Sequence, residues 1–288
     1  MLVTERANAK INLALHVLGR RLDGYHELDS IVAFAGVGDV LTIEPASSPA
    51  LTLSGPFAND LNGGGDNSVL AVWRLLANFT ELAPVKFHLE KNLPIASGIG
   101  GGSADAAAAL RGLIKLFNLK ISAADLNAIA LNLGADVPVC LASTPCRMQG
   151  IGETLSPIAT QLPKAIVLVN PLRPSPTAKV FETLGLQPGQ SFGSKIEDIT
   201  NMNSWRNDLE PPAIKLLPEI AQVIAALKSQ AGITTARMSG SGATCFALVE
   251  NSEAAKMVAS AIKNAHSNWW VVATRLASSA EPASALFY

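Results

Sequence analysis

From Pro94 to Ala107 the chain reads Pro-Ile-Ala-Ser-Gly-Ile-Gly-Gly-Gly-Ser-Ala-Asp-Ala-Ala, with glycine at 98, 100, 101 and 102. Four glycines in five positions permit positive φ and put no Cβ in the way. Successive amides can then converge on one concavity, a nest for anionic oxygen. An alanine-rich helix is predicted over residues 103–117, and the partial positive charge of its N-terminus would point at the same spot. Together these features make a phosphate cradle running from Pro94 through Gly98, Gly100, Gly101, Gly102 and Ser103. Two commoner phosphate loops are excluded. A Walker loop ends in Gly-Lys-Ser/Thr, and no lysine stands here; a dinucleotide fingerprint starting at Gly98 would need glycine or alanine at Ser103. Taken alone, the stretch also fits a surface loop with a glycine-rich cap. Ser103 suits a helix N-cap, and its hydroxyl can also face a phosphate or Mg²⁺.

Around this segment strands and helices mix in both halves of the chain, which indicates an α+β fold. Strands are expected over residues 11–18, 28–34 and 40–43, with Gly36, Gly38 and Asp39 as the turn between the last two. Asp66 is the expected cap of a helix reaching Asn78. A strand over 85–90 precedes the glycine loop, and Ser122 opens a helix that ends at Gly134. Beyond a soft boundary near residues 155–163 follow a strand at 165–169, proline-rich and polar loops at 171–176 and 187–194, and a helix pair around 212–230. Strands at 234–238, 244–249 and 269–275, with a helix from Ser252, complete the chain. Two domains are expected, 1–157 and 158–288.

Composition narrows the function. Lysine plus arginine (22) nearly balance aspartate plus glutamate (23), so no basic excess draws nucleic acid through its phosphates. Aromatics, at 5%, are too sparse for a base-stacking face. The three cysteines, Cys140, Cys146 and Cys245, suggest neither a disulfide framework nor a metal site and fit buried thiols in a reducing compartment. No run approaches the roughly 20 apolar residues that span a bilayer, and Glu5, Arg6 and Lys10 interrupt any export signal. A cytoplasmic protein acting on a small molecule, without membrane or nucleic-acid partners, is expected.

Three further features are ambiguous by themselves. Lys10 sits in an apolar strand, where a lysine commonly lays its stem along the surface. Asp136, in Gly-Ala-Asp-Val-Pro, suits an N-cap before a proline at the start of a helix. Arg237-Met-Ser239-Gly240-Ser241-Gly242-Ala243 reads as a turn, yet beside the first loop it could close over a nucleotide or diphosphate.

The set as a whole resembles the GHMP kinase superfamily, which the galacto-, homoserine, mevalonate and phosphomevalonate kinases define. Ala9-Lys10-Ile-Asn12-Leu, Asp23-Gly24-Tyr25-His26, Asp66-Asn67, Leu93-Pro94 through Asp105, Gly134-Ala-Asp136-Val-Pro138, Gly150-Ile-Gly152-Glu153, Asn207-Asp208-Leu-Glu210 and Met238 to Ala243 carry the likeness. Of these, Asp-Gly-Tyr-His and Gly-Ala-Asp-Val-Pro are particular to a member that phosphorylates a cytidine diphosphate polyol in isoprenoid precursor biosynthesis. The resemblance implies two lobes, the first like the second domain of ribosomal protein S5 and the second ferredoxin-like, with the site between them. It implies Asp136 as base or orienting group, with Lys10 holding it ionised. Tyr25 and Phe181 would face the two sides of the cytosine and His26 its edge. Asn12 would touch the diphosphate or polyol. Gly100 to Ser103 would cradle ATP, with Mg²⁺ near Ser103, while Asn67 and Lys91 would lie by the adenine. Ser239, Gly240 and Ser241 would face the substrate. A monomer or homodimer fits the family. Homoserine or mevalonate kinase action, or a non-catalytic sensor, are the competing functions; the first two have no use for a nucleobase clamp, and a sensor would be expected to lack the Lys10 and Asp136 pair. Ile99 and Ala96-Ser97 depart slightly from the family pattern, and the tail after Arg275 matches no motif.

Overall fold

The structure, a computed structural model, describes residues 1–61, 67–158, 161–233 and 235–277. Its spine is a long antiparallel pair. Strand β1 (Val3–Arg20) alternates buried and exposed residues at its start, then runs almost wholly buried to its end. It pairs with β2 (His26–Pro45) from Val3 opposite Ile43 to Arg20 opposite His26.

β2 corrects one expectation. The predicted turn at Gly36 to Asp39 is absent, and residues 26–45 form one continuous strand. The register passes from Asn8 opposite Gly38 to Lys10 opposite Phe34, so β2 bulges there. Gly38 lies so close to the Ala7 carbonyl and the Asn8 Cα that a Cβ would not fit. Glycines inside a strand mark a bulge or a close approach as readily as a turn, and pairing on both sides of the bulge decides between them.

The first sheet is completed by β3 (Ala50–Ser54), β4 (Val85–Glu90), β5 (Cys146–Gly150) and β6 (Thr154–Pro157), in the order β3-β4-β2-β5-β6. β3 and β4 are parallel. Among the described residues the α-helices of this half are α1 (Ser68–Ala77), α2 (Gly101–Phe117), α3 (Ala123–Leu133) and α4 (Val137–Ala142). Asn67 caps α1 by accepting from the Val69 amide at 2.9 Å; Asp66, the expected cap, lies outside the described residues. Ser122 caps α3 and Gly134 ends it, as expected. The small side chains of Ala104 and Ala106 to Ala109 are all buried, which brings α2 close against β1 and β2.

The second sheet has the order β10-β7-β9-β8, all antiparallel, from β7 (Ala165–Asn170), β8 (Thr235–Met238), β9 (Cys245–Val249) and β10 (Trp270–Arg275). With it go α5 (Thr177–Leu184), α6 (Glu210–Leu216), α7 (Glu219–Lys228) and α8 (Ser252–Ala265). Every residue of β7 is buried. Val167 and Val169 pack with Val223, Leu227 and Val258 of the helices. Ile166 and Leu168 pack with Ile11, Leu13 and Ile31 of the first sheet. The two halves therefore share a core rather than touching through a wet surface. Among the described residues no helix is long and apolar enough to cross a membrane. The cysteines are free and buried as expected, and burial pushes Cys140 up to about 12 and Cys146 up to about 11.

α2 is anchored by one of its own residues, the buried Arg111. Its Nε donates to Glu5 at 3.0 Å, one terminal nitrogen to the Cys140 carbonyl at 3.0 Å and the other to the Arg6 carbonyl at 2.7 Å. One guanidinium thus ties α2 to β1 and to α4. Removing one partner of a buried ion pair strands the other charge, so we expect Arg111→Met to lower the unfolding free energy in urea by about 3 kcal/mol. A loss near zero would show that the pins contribute little.

Candidate active site

The glycine loop and the second small-residue loop both line a cleft of about 1180 Å³. α2 begins at Gly101, not at Ser103. Gly100, at φ 66°, takes the N-cap position with no side-chain cap, so Ser103 belongs to the first turn rather than capping it. The left-handed conformation, available to glycine, is what starts the helix two residues early. First-turn amides of a helix have no intrahelical partner, and here no side chain blocks them. They open into the cleft with Gly102 and Ser103 along its wall.

Gly98 has no space for a side chain. A Cβ there would come within 2.6 Å of the Gly242 amide and carbonyl and of the Ser239 carbonyl. Around this contact the Thr244 amide donates to the Ser97 carbonyl at 3.0 Å, and the Ser239 hydroxyl donates to the Gly98 carbonyl at 3.1 Å. The second loop is therefore a latch on the first. Ser239 is buried, and its hydroxyl also accepts from the Asn12 amide at 3.1 Å. Gly240 and Ser241 reach the cleft, with the Ser241 hydroxyl bonded to that of Thr177 at 2.7 Å. Pro94 lines the cleft and its carbonyl accepts from the Ser97 hydroxyl at 2.6 Å.

Beneath the loop lies a buried charge cluster. The Lys91 ammonium donates to Asp105 at 2.6 Å and to Asp39. Asp39 also accepts from the amides of Asn92 and Leu93, at 2.6 and 2.8 Å. Burial alone would lower the Lys91 pKa, but the two carboxylates outweigh it and hold it above the ordinary value. Burial likewise lifts Asp105 to about 7, against the attraction of Lys91. The Lys91 side chain is thus committed to the floor of the loop, while Asn67 stands at the cleft's edge with its carbonyl oxygen spent on capping α1.

The structure brings Lys10 and Asp136 together, with Nζ 3.0 Å from the carboxylate. Lys10 is not a surface residue: its side chain is 5% exposed, against 37% for Asp136. Asp136 occupies the N-cap position of α4 but makes no side-chain cap. The result is a carboxylate facing the cleft with a buried ammonium behind it. Asn12 holds that ammonium. Its oxygen accepts from Lys10 at 2.9 Å, its nitrogen donates to Ser30 at 2.8 Å, and Ser30 donates to the Ala14 carbonyl at 2.5 Å. Asn12 is fully buried and both ends of its amide are engaged within the protein. Ser30, which follows Asp29 at the polar start of β2, did not stand out in the sequence.

Tyr25 in the turn between β1 and β2, His26 at the start of β2 and Phe181 of α5 also line the cleft. Tyr25 is 57% exposed. His26 and Phe181 rest on each other with ring centroids 4.6 Å apart, tilted by 30°. No base fits between those two rings; Tyr25 offers an exposed aromatic face, and Phe181 also lines the cleft. His26 Nε2 is buried without a hydrogen-bond partner. Burial, and after it the Arg20 guanidinium, lower the His26 pKa below the ordinary histidine value.

Among the described residues no three histidine, cysteine or acidic side chains cluster to hold a metal ion. A hard cation that arrives with phosphates needs only one or two protein oxygens, and Ser103 lies where it could give one. The cleft thus combines an anion nest, a platform for a planar ring and an ion pair.

Comparison with known proteins accords with this. Residues 67–144 match the family model described as GHMP kinases N terminal domain, and 195–268 the one described as GHMP kinases C terminal. A protein of Rhizobium etli named 4-diphosphocytidyl-2-C-methyl-D-erythritol kinase is 49% identical over 284 residues, covering 96% of this chain and 95% of that one. One of the same name from Paramagnetospirillum magneticum is 46% identical over 279 residues, covering 94% and 98%. The crystal structure of a 4-(cytidine 5'-diphospho)-2C-methyl-D-erythritol kinase superposes with a TM-score of 0.80 at 32% identity, over 96% of this chain and all of that one. A homoserine kinase from Cytophaga hutchinsonii shares the fold, with a TM-score of 0.69 at 18% identity over 96% of each chain.

The environment of His26 gives a direct test. Followed by NMR, its imidazole should titrate with a midpoint below the ordinary 6.5 and remain neutral at neutral pH. A midpoint at or above that value would mean the ring is solvated.

Proposed function

The chain belongs to the GHMP kinases, and on that premise we propose that it transfers the terminal phosphoryl group of ATP to the 2-hydroxyl of 4-diphosphocytidyl-2-C-methyl-D-erythritol. The products are the 2-phosphate and ADP, in the non-mevalonate route to isoprenoid precursors. The observation that carries the reading is the Lys10 and Asp136 pair, 3.0 Å apart, lining the same cleft as the phosphate nest and the aromatic platform. Transfer of a phosphoryl group needs positioned phosphates, neutralised charge and an oriented nucleophile more than covalent chemistry from the protein.

In this reading the amides of Gly100 to Ser103 hold the ATP phosphates and Asn67 borders the adenine. Lys91 supports the loop from below. A Mg²⁺ ion arriving with ATP supplies counter-charge, with Ser103 as its protein oxygen. Tyr25 stacks on the cytosine, His26 meets its edge, and Phe181 backs the histidine. Gly240 and Ser241 close on the acceptor from the second half. Asp136 orients the acceptor hydroxyl and receives its proton as the hydroxyl oxygen bonds to the terminal phosphorus. The bond from that phosphorus to the bridging oxygen breaks, and ADP leaves with the electron pair. Lys10, held by Asn12 and 3.0 Å from Asp136, balances charge during transfer. We read 1–157 and 158–288 as the two kinase domains and the cytoplasm as the place of action.

An ADP-release assay with Mg-ATP, comparing the cytidyl acceptor with homoserine, mevalonate and galactose, tests the substrate. We expect turnover with the cytidyl acceptor alone; activity on another acceptor instead would sink the assignment. Asp136→Ala should lower kcat by about 10³-fold or more while ATP binding persists. Unaltered turnover would remove Asp136 from the mechanism. Tyr25→Ala should raise the acceptor KM by about tenfold, consistent with one lost stacking contact, whereas a selective loss of ATP affinity would mean the two subsites are exchanged.

A further inference from the structure

We propose that Arg20 is a specificity-determining positioning residue, which joins the turn bearing Tyr25 and His26 to the end of α5 and so assembles the acceptor's nucleobase platform. The inference rests on the reading of that platform given above.

Arg20 is the last residue of β1 and pairs with His26 across the strands. Its Nε donates to the Gly24 carbonyl at 3.2 Å and its Nη1 to the Leu186 carbonyl at 2.9 Å. The first acceptor lies in the turn that carries Tyr25. The second lies just beyond α5, the helix that carries Phe181. These segments are far apart in the chain, and the side-chain bridge spans 166 residues. Backbone bonds prepare the junction: the Arg20 amide donates to the Gln190 carbonyl at 2.8 Å, and the Gly189 amide donates to the Arg20 carbonyl at 2.7 Å. The turn itself is closed by the Arg21 amide on the Tyr25 carbonyl at 2.7 Å and the Gly24 amide on the Arg21 carbonyl at 3.0 Å.

The choice of arginine has a physical reason. A guanidinium presents donors in a fixed planar fork and can serve two carbonyls at once, while a lysine is a single point charge on a flexible stem. Arg20 also differs from the other cations lining the cleft. Lys10 is paired with Asp136, and Lys91 with Asp39 and Asp105. The two hydrogen-bond partners of Arg20 are neutral carbonyls, so its charge acts on what lies beside it. His26 is one such neighbour, and its imidazole is kept neutral in part by that charge. A neutral ring offers a defined donor and a defined acceptor, and its Nε2 is buried with no partner. Pyrimidines with exchanged donor and acceptor edges can be told apart only if that ring is held in place. Nothing in this arrangement touches the glycine loop, so ATP should not sense the change.

The test compares the full-length protein with Arg20→Met and Arg20→Lys. It uses steady-state kinetics for both substrates and calorimetric binding of cytidine diphosphate and uridine diphosphate. We expect wild type to prefer the cytidine nucleotide. Arg20→Met should raise the acceptor KM and the cytidine diphosphate Kd about tenfold or more and erase the preference over uridine, with the ATP KM unchanged. Arg20→Lys, which preserves the charge and can reach one carbonyl, should recover part of the affinity. An unchanged acceptor KM in Arg20→Met, or an equal loss for ATP, would overturn the inference and leave the platform reading standing. Wild-type protein that binds neither pyrimidine nucleotide would overturn the platform reading itself, and this inference with it.

Discussion

The contact at Gly98 is the constraint on which the site depends. Backbone meets backbone there with no space for a methyl group. Through it the first half's phosphate loop is set by the second half's sheet, because residues 239–243 connect β8 to β9. The same junction reaches β1: the Lys10 amide donates to the Ile99 carbonyl at 2.9 Å, and the Ser239 hydroxyl bridges the Asn12 amide and the Gly98 carbonyl. The nest, the latch and the Lys10 strand therefore move as one unit. The shared core of Ile11, Leu13, Ile31, Ile166 and Leu168 lies beneath it and holds the halves together.

Buried charge is distributed in a way that separates support from chemistry. Removing an ion from water is costly unless it is paired and hydrogen-bonded. Lys91 and Arg111 meet that condition wholly inside the protein, with carboxylates and carbonyls around them, and they act as struts for the two ends of the α2 region. Lys10 meets it differently, because one of its two partners is the exposed carboxylate of Asp136. An ammonium fixed by a buried asparagine beside an accessible carboxylate can respond to charge that develops in the cleft. The struts cannot.

Local signals were legible where they depended on residues near in sequence. The glycine run opening a helix, the Ser122 cap and the Gly134 stop, and the strands at 85–90 and 165–169 all stand as read, to within a residue or two at their ends. The glycines of β2 misled because a turn and a bulge use the same residue, and only the partner strand distinguishes them. Ser103 misled in the same way: a left-handed Gly100 takes the cap position that the serine's chemistry suits. Asn12 was expected beside the acceptor by family likeness; it lines the cleft, and its side chain also holds Lys10 and donates to Ser30.

By itself, then, the sequence determined a phosphate nest on a helix, a mixed α+β chain with buried free thiols, and the residue types of a phosphoryl-transfer site. Those follow from backbone freedom, side-chain size and periodicity, which are properties of a residue and its near neighbours. Only the tertiary structure decided that Lys10 is buried behind Asp136, that His26 rests on Phe181, and that Arg20 bridges the turn to α5. Each of those pairs comes from segments far apart in the chain. Whether such groups attract, stack or stay neutral depends on their separation and on how much water remains between them, and neither is defined until the sheets have packed.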